Sequence, residues 1–146
     1  NDNFCLENGH FIPSIIHRFH KEKNNKEIIA YGTGNPLRQL LYAEDMAEIT
    51  CLLLFNKSLT AGRDLINISG EKERTIKYFI EKIGNVVGIN INKIKWDKTK
   101  SDGCFKKTIS NNVLKKILPD YKFTSLDKGL KETYEWFVEN YENCRK

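Results

Sequence analysis

The chain has 146 residues, 40% of them apolar and 29% charged, with 24 basic against 19 acidic groups and a formal net charge of +5. That balance describes one globular domain with a core of its own, and no apolar run approaches the roughly 18 residues that span a bilayer. The positive excess favours anionic partners, but the basic residues are interleaved with acids and no basic run reaches five, which argues against a nucleic-acid surface.

The first residues, Asn1-Asp2-Asn3-Phe4-Cys5, resemble neither a signal nor a transit peptide, and no Met opens them, so a fragment of a longer polypeptide is expected. Pro13 suits a first helical position, and Ile15, Ile16 and Phe19 then fall on one face. Glu27 to Tyr31 and Leu37 to Tyr42 read as strands on either side of Gly32-Thr33-Gly34-Asn35-Pro36. That stretch fits neither G-x-G-x-x-G nor G-x-x-x-x-G-K-[ST], and is expected to be a turn in which the chain reverses. Glu44 and Asp45 place negative charge at the start of a helix from Met46 to about Asn56, apolar on most sides and predicted to be buried, Cys51 included.

Asp64 to Ser69 is a third expected strand. Thr75 is a credible N-cap for a helix from Ile76 that ends at Gly88, and Lys93 to Asp97 alternates as a strand. Together these predict a strand–helix–strand unit of the parallel type. Lys98 to Lys107 is a charged loop around Ser101-Asp102-Gly103. Asn111 to Leu118 is a short helix stopped by Pro119. Thr124-Ser125-Leu126-Asp127 resembles a capping box before a long helix, Leu126 to Tyr141, striped by Leu126, Leu130, Thr133, Trp136, Phe137 and Tyr141. The fold class is α/β: one small mixed α/β domain.

Chemistry is concentrated in few places. His10 precedes a helix and has the right unperturbed acidity for general acid or base work; a surface histidine at a helix start is the bland alternative. Arg38 follows a tight turn, where a guanidinium can fork two phosphate oxygens, or simply be solvated or ion-paired. The four widely spaced cysteines contain no C-x-x-C pair and read as free thiols of a reducing cytosol, giving a cytoplasmic location. His10, His17 and His20 lack partners to complete a metal site, and no metal is expected.

Four segments, "DNFCLENGHFIPSIIHRFH", "YGTGNPLRQLLYAEDMAE", "KSDGCFKKTISNNVLKKILPDYKF" and "LKETYEWFVENY", stand in the order and spacing of the C-terminal half of the GDP-L-fucose synthase family. These are extended short-chain dehydrogenase/reductases that carry out 3,5-epimerisation and 4-reduction of GDP-4-keto-6-deoxy-mannose. The resemblance implies a substrate-binding domain spanning residues 1–146, with the NADP-binding Rossmann domain and its Ser–Tyr–Lys set absent from this chain. It implies that His10 is the epimerisation acid/base, opposite a cysteine that none of the four here matches, and that His10 also touches the cofactor. Arg18, Tyr31, Arg38 and Asp102 fall on the family's substrate contacts, Tyr31 standing where tryptophan is common, and Lys106 is a weaker candidate for the diphosphate. The full enzyme is expected to be a homodimer built largely through the cofactor domain, and the fragment monomeric and inactive alone. Two other readings stand beside this one: the substrate domain of a different nucleotide-sugar epimerase or dehydratase, and a basic nucleic-acid-binding module.

Overall fold

The computed structural model describes residues 2–146. Helix α1 (Phe11–Glu22) starts two residues before Pro13, with His10 in the extended N-cap position, and turns Pro13, Ile16, His17 and Phe19 inward. Strand β1 (Ile28–Tyr31) alternates as its sequence does, Ile28 and Ala30 being fully buried while Ile29 and Tyr31 face out. Strand β2 (Leu37–Gln39) is shorter than expected, and helix α2 (Ala43–Phe55) follows, then the single turn α3 (Lys57–Thr60).

Residues 64–69 form no strand, correcting the sequence expectation. Leu65 is 76% exposed, so its apolar alternation lacks a sheet to lie against. The next strand is β3 (Glu73–Thr75), leading into α4 (Ile76–Val87). As expected, the Thr75 hydroxyl caps α4, accepting from the Tyr78 N–H at 3.1 Å, and Gly88 ends it at φ 84°. Strands β4 (Ile94–Asp97) and β5 (Lys106–Lys107), short helix α5 (Asn112–Ile117) and helix α6 (Leu126–Glu139) complete the chain. Ser125 caps α6, its hydroxyl accepting from Lys128 N–H. The inner faces of α1, α4 and α6 close over β1 and β4 around Phe4, Ile16, Phe19, Ile28, Ile83 and Phe137.

The strands form two separate sheets. β1 and β4 are parallel, Ile28 opposite Ile94 and Tyr31 opposite Asp97. β2 lies between β3, antiparallel, and β5, parallel. The parallel partner of β4 is therefore β1 rather than residues 64–69, and the 32–36 turn is no hairpin: it carries the chain out of one sheet into the other. Residues 98–105 make the same passage from β4 to β5, and the two crossings are tied together. Gly32 N–H donates to Asp97 O at 2.9 Å and Leu37 N–H to Phe105 O at 2.8 Å. Between them Asp102 accepts from Thr33 twice, from the N–H and from the hydroxyl, each at 2.6 Å. Gly32 (φ 81°) leaves the space this needs, because a Cβ there would collide with the Asp102 carboxylate.

Helix α2 also departs from expectation. Only Asp45 and Ile49 are buried, whereas Leu54 and Phe55 are 66% and 82% exposed and Cys51 faces solvent. An apolar helix can be buried only where something covers it, and within this chain one side of α2 is covered. Asp45 fixes that side: its carboxylate accepts from the Thr124 N–H at 2.9 Å and the Thr124 hydroxyl at 2.8 Å, which sets the entry to α6.

Two outcomes follow. Asp45→Asn weakens a buried, charge-assisted pair of bonds and should cost about 2 kcal/mol, lowering the melting temperature by about 4–8 °C in calorimetry. The Thr33 hydroxyl, with the Thr33 N–H, holds the Asp102 carboxyl below its usual range. The tie is therefore complete above the ordinary aspartate range and lost as pH falls through that lowered value. Protection of the residue-33 amide, its exchange rate relative to that of an unstructured amide at the same pH, should fall on acidification, and in Thr33→Val at a higher pH than in the wild type; identical protection profiles would contradict the tie.

Candidate functional site

β2 is the centre of a three-strand ribbon, and cross-strand neighbours share a face. On one face Glu73, Thr75, Leu37, Gln39 and Lys106 come together, with Lys106 Nζ 2.9 Å from Glu73 Oε2. The opposite face carries Arg74, Arg38 and Lys107 side by side, one from each strand, at the strand spacing of about 4.8 Å. None of the three has a carboxylate partner among the described residues. Arg38 Nη1 donates to the Leu37 carbonyl at 2.7 Å, and Arg74 lies 5.6 Å from the centre of the Tyr78 ring. Like charges directly across a sheet repel, so a row of this kind is suited to an anion. The lysine beside Arg38 is Lys107; Lys106, singled out in the sequence, points to the other face and is bound to Glu73. Strand parity separates the two, and a two-residue strand gives no periodicity from which to read it.

A groove of about 420 Å³ lies alongside β5, lined by both Lys106 and Lys107 and walled by Leu41, Ile68, Ser69, Thr108 and Ile109. Gln39 fixes its floor, donating to Gly70 O at 3.3 Å and accepting from Ile109 N–H at 2.7 Å.

Arg18 and Tyr31 lie side by side. The Arg18 guanidinium stands 5.1 Å from the Tyr31 ring centre, on the outward end of β1. Its Nε is buried without a hydrogen-bond partner, while Tyr31 is 58% exposed. An exposed ring backed by a cation is a platform for another flat or polar group. Asp102 is placed at this end by its bonds to Thr33, which occupy one lone pair on each carboxylate oxygen and leave the others outward. Thr33 was not marked by the sequence as a site residue.

His10 stands apart from these four at the start of α1, eight residues before Arg18, or about 12 Å along the helix. Its side chain is 80% exposed and Nδ1 lies 3.1 Å from Asp2 Oδ1. His17 is buried and bonds the Phe4 carbonyl through Nδ1 at 2.8 Å; His20 bonds the Tyr134 hydroxyl at 3.0 Å, and burial lowers its pKa. Both are packing residues. No group of three His, Cys, Asp or Glu side chains gathers around a metal position among the described residues. Nor do those residues form a dinucleotide cradle, since the turn after β1 leads into a strand and its Thr33 N–H is already committed to Asp102. No helix of the described residues is long and apolar enough to cross a membrane.

Residues 2–69 match the model of the NAD dependent epimerase/dehydratase family. The chain is 36% identical over its whole length to GDP-L-fucose synthase of Dictyostelium discoideum, covering 45% of it. Over 96% of its length it is 38% identical to putative GDP-L-fucose synthase 2 of Arabidopsis thaliana, covering 42% of that protein. The crystal structure of a GDP-L-fucose synthetase from Naegleria fowleri bound to NADP superposes with a TM-score of 0.90 at 32% identity, over 99% of this chain and 45% of that one. The chain thus spans a little under half the length of the curated relatives it matches. Sequence and fold together group it with the C-terminal part of the GDP-L-fucose synthases, extended short-chain dehydrogenase/reductases of the NAD dependent epimerase/dehydratase family.

Proposed function

We propose that this chain is the substrate-binding domain of an NADP-dependent enzyme that converts GDP-4-keto-6-deoxy-mannose to GDP-L-fucose by 3,5-epimerisation and 4-reduction. The observation that carries this reading is the unpaired row Arg74–Arg38–Lys107. Arg38 and Lys107 hold the diphosphate, Arg38 through forked charge-assisted bonds and Lys107 as a point charge. The groove alongside β5 takes the nucleoside, and Arg18, Tyr31 and Asp102 line the opposite end of the substrate. His10 supplies one of the two groups that inversion beside a ketone needs. The C–H bonds beside the ketone are acidified because the carbanion is delocalised as an enolate; a base removes the proton from one face and an acid returns one to the other.

NADP is assigned to the remainder of a longer polypeptide, with His10 at the border, and no step within these residues runs through it. The exposed apolar side of α2 is the surface on which that remainder rests, consistent with the relatives' greater length. The whole enzyme is a cytoplasmic homodimer; these 146 residues alone bind and do not turn over. Dehydratases and epimerases acting on other nucleotide sugars share the fold at lower identity, so base preference is the discriminating property.

Calorimetric titration of the chain should show binding of GDP in preference to UDP. Arg38→Ala and Lys107→Ala should each weaken GDP about 10–100-fold and flatten its salt dependence; unchanged affinity in both would contradict the clamp. In the full-length protein, His10→Gln should slow solvent deuterium incorporation at C3 and C5 by about 100-fold or more while sparing reduction of the ketone. Equal loss of both steps would mark His10 as structural.

A further inference from the structure

The segment from Asp2 to His10 is held at both ends and braced across its middle. Phe4 is fully buried and stacks on Phe137 with ring centres 4.6 Å apart. Its N–H donates to Arg145 O, and its carbonyl meets His17 Nδ1, both at 2.8 Å. At the other end the His10 carbonyl accepts from Ser14 N–H at 3.0 Å, opening α1. Between them Asn3 bonds Cys5 N–H and the Asn8 carbonyl through its amide, each at 3.1 Å, and Gly9 N–H donates to Cys5 O at 2.9 Å. Gly9 is needed here, because a Cβ would collide with the carbonyl oxygens of Cys5 and Asn3. The outcome of all this bracing is that Asp2 Oδ1, itself accepting from Asn3 N–H at 2.6 Å, faces His10 Nδ1 at 3.1 Å.

We propose that Asp2 is the positioning residue of an Asp2–His10 dyad that presents Nε2 of the imidazole to the substrate carbon; this rests on the assignment of His10 as the epimerisation acid/base. A carboxylate at Nδ1 accepts only a hydrogen, so it selects the Nδ1–H form and leaves Nε2 as the atom that exchanges protons. It also fixes the ring plane, as the buried carboxylate does in serine-protease triads. In the forward step the imidazolium Nε2–H bond breaks and a C–H bond forms from the enolate electron pair, regenerating the ketone. The ring is left neutral with its proton on Nδ1, still bonded to Asp2, and Nε2 recovers a proton from water. Asp2 also places a negative charge beside an imidazolium formed at the positive end of α1. As a solvent-exposed ion pair the dyad contributes little to stability.

Nitrogen-15 NMR of the histidine rings in this chain, at a pH where His10 is neutral, reads the proton position directly. The wild type should be predominantly Nδ1-protonated at His10, and Asp2→Ala predominantly Nε2-protonated, with an unchanged melting temperature. A wild type already protonated at Nε2, or a ring indifferent to Asp2→Ala, overturns the dyad. In the full-length protein Asp2→Ala should slow deuterium incorporation at C3 and C5 about 10–100-fold with KM for NADPH unchanged, and Asp2→Glu should restore part of it. Full incorporation in Asp2→Ala, alongside loss in His10→Gln, overturns the positioning role and leaves the assignment of His10 standing. Full incorporation in His10→Gln itself defeats the assignment on which the dyad depends.

Discussion

The bond pair between Asp102 and Thr33 is the interaction on which the functional face depends. The two sheets share no strand and are joined by three passages of chain: helix α4 between β3 and β4, and the two loops after β1 and after β4. Asp102 reaches from the second of these loops to the first, so the strands that follow, β2 and β5, start in step. A shift of one residue in that register would exchange Lys107 for Lys106 beside Arg38. The cation meant for the open face would then lie against Glu73 on the other.

The helices were legible in the sequence because their signals are local. Thr75 and Ser125 cap as side chains of their type do, Gly88 ends α4 in the left-handed conformation, and the α6 stripe buries Leu130 and Phe137. The sheets were not, because each strand has only two to four residues and finds its partner far along the chain. Residues 64–69 carry as good a strand pattern as β1, yet no neighbour offers an edge to them. β3, with Glu73-Arg74-Thr75, has no apolar pattern at all and is a strand because β2 lies beside it.

The site divides in the same way. Arg18, Tyr31, Arg38 and Asp102 are candidates through resemblance alone; the fold brings Arg18 onto Tyr31 and Asp102 onto the turn that follows β1. Their supporting partners were invisible: Thr33, Lys107, Arg74 and Asp2 are ordinary polar residues whose roles arise only from pairing across the fold. The row of cations is not an arrangement that folding alone favours. Arranged for stability alone, three neighbouring strands would alternate their charges, as Glu73 and Lys106 do on the reverse side.

The wet apolar side of α2 bears on what a denaturation experiment measures. Leu54 and Phe55, in contact with water, contribute little of the hydrophobic free energy their side chains can supply, about 1.5–3 kcal/mol for a fully covered leucine or phenylalanine. A melting curve of these 146 residues therefore gives a lower bound. Wherever that side is covered, the covering surface and α2 unfold as one cooperative unit, and a substitution on either raises or lowers the stability of both.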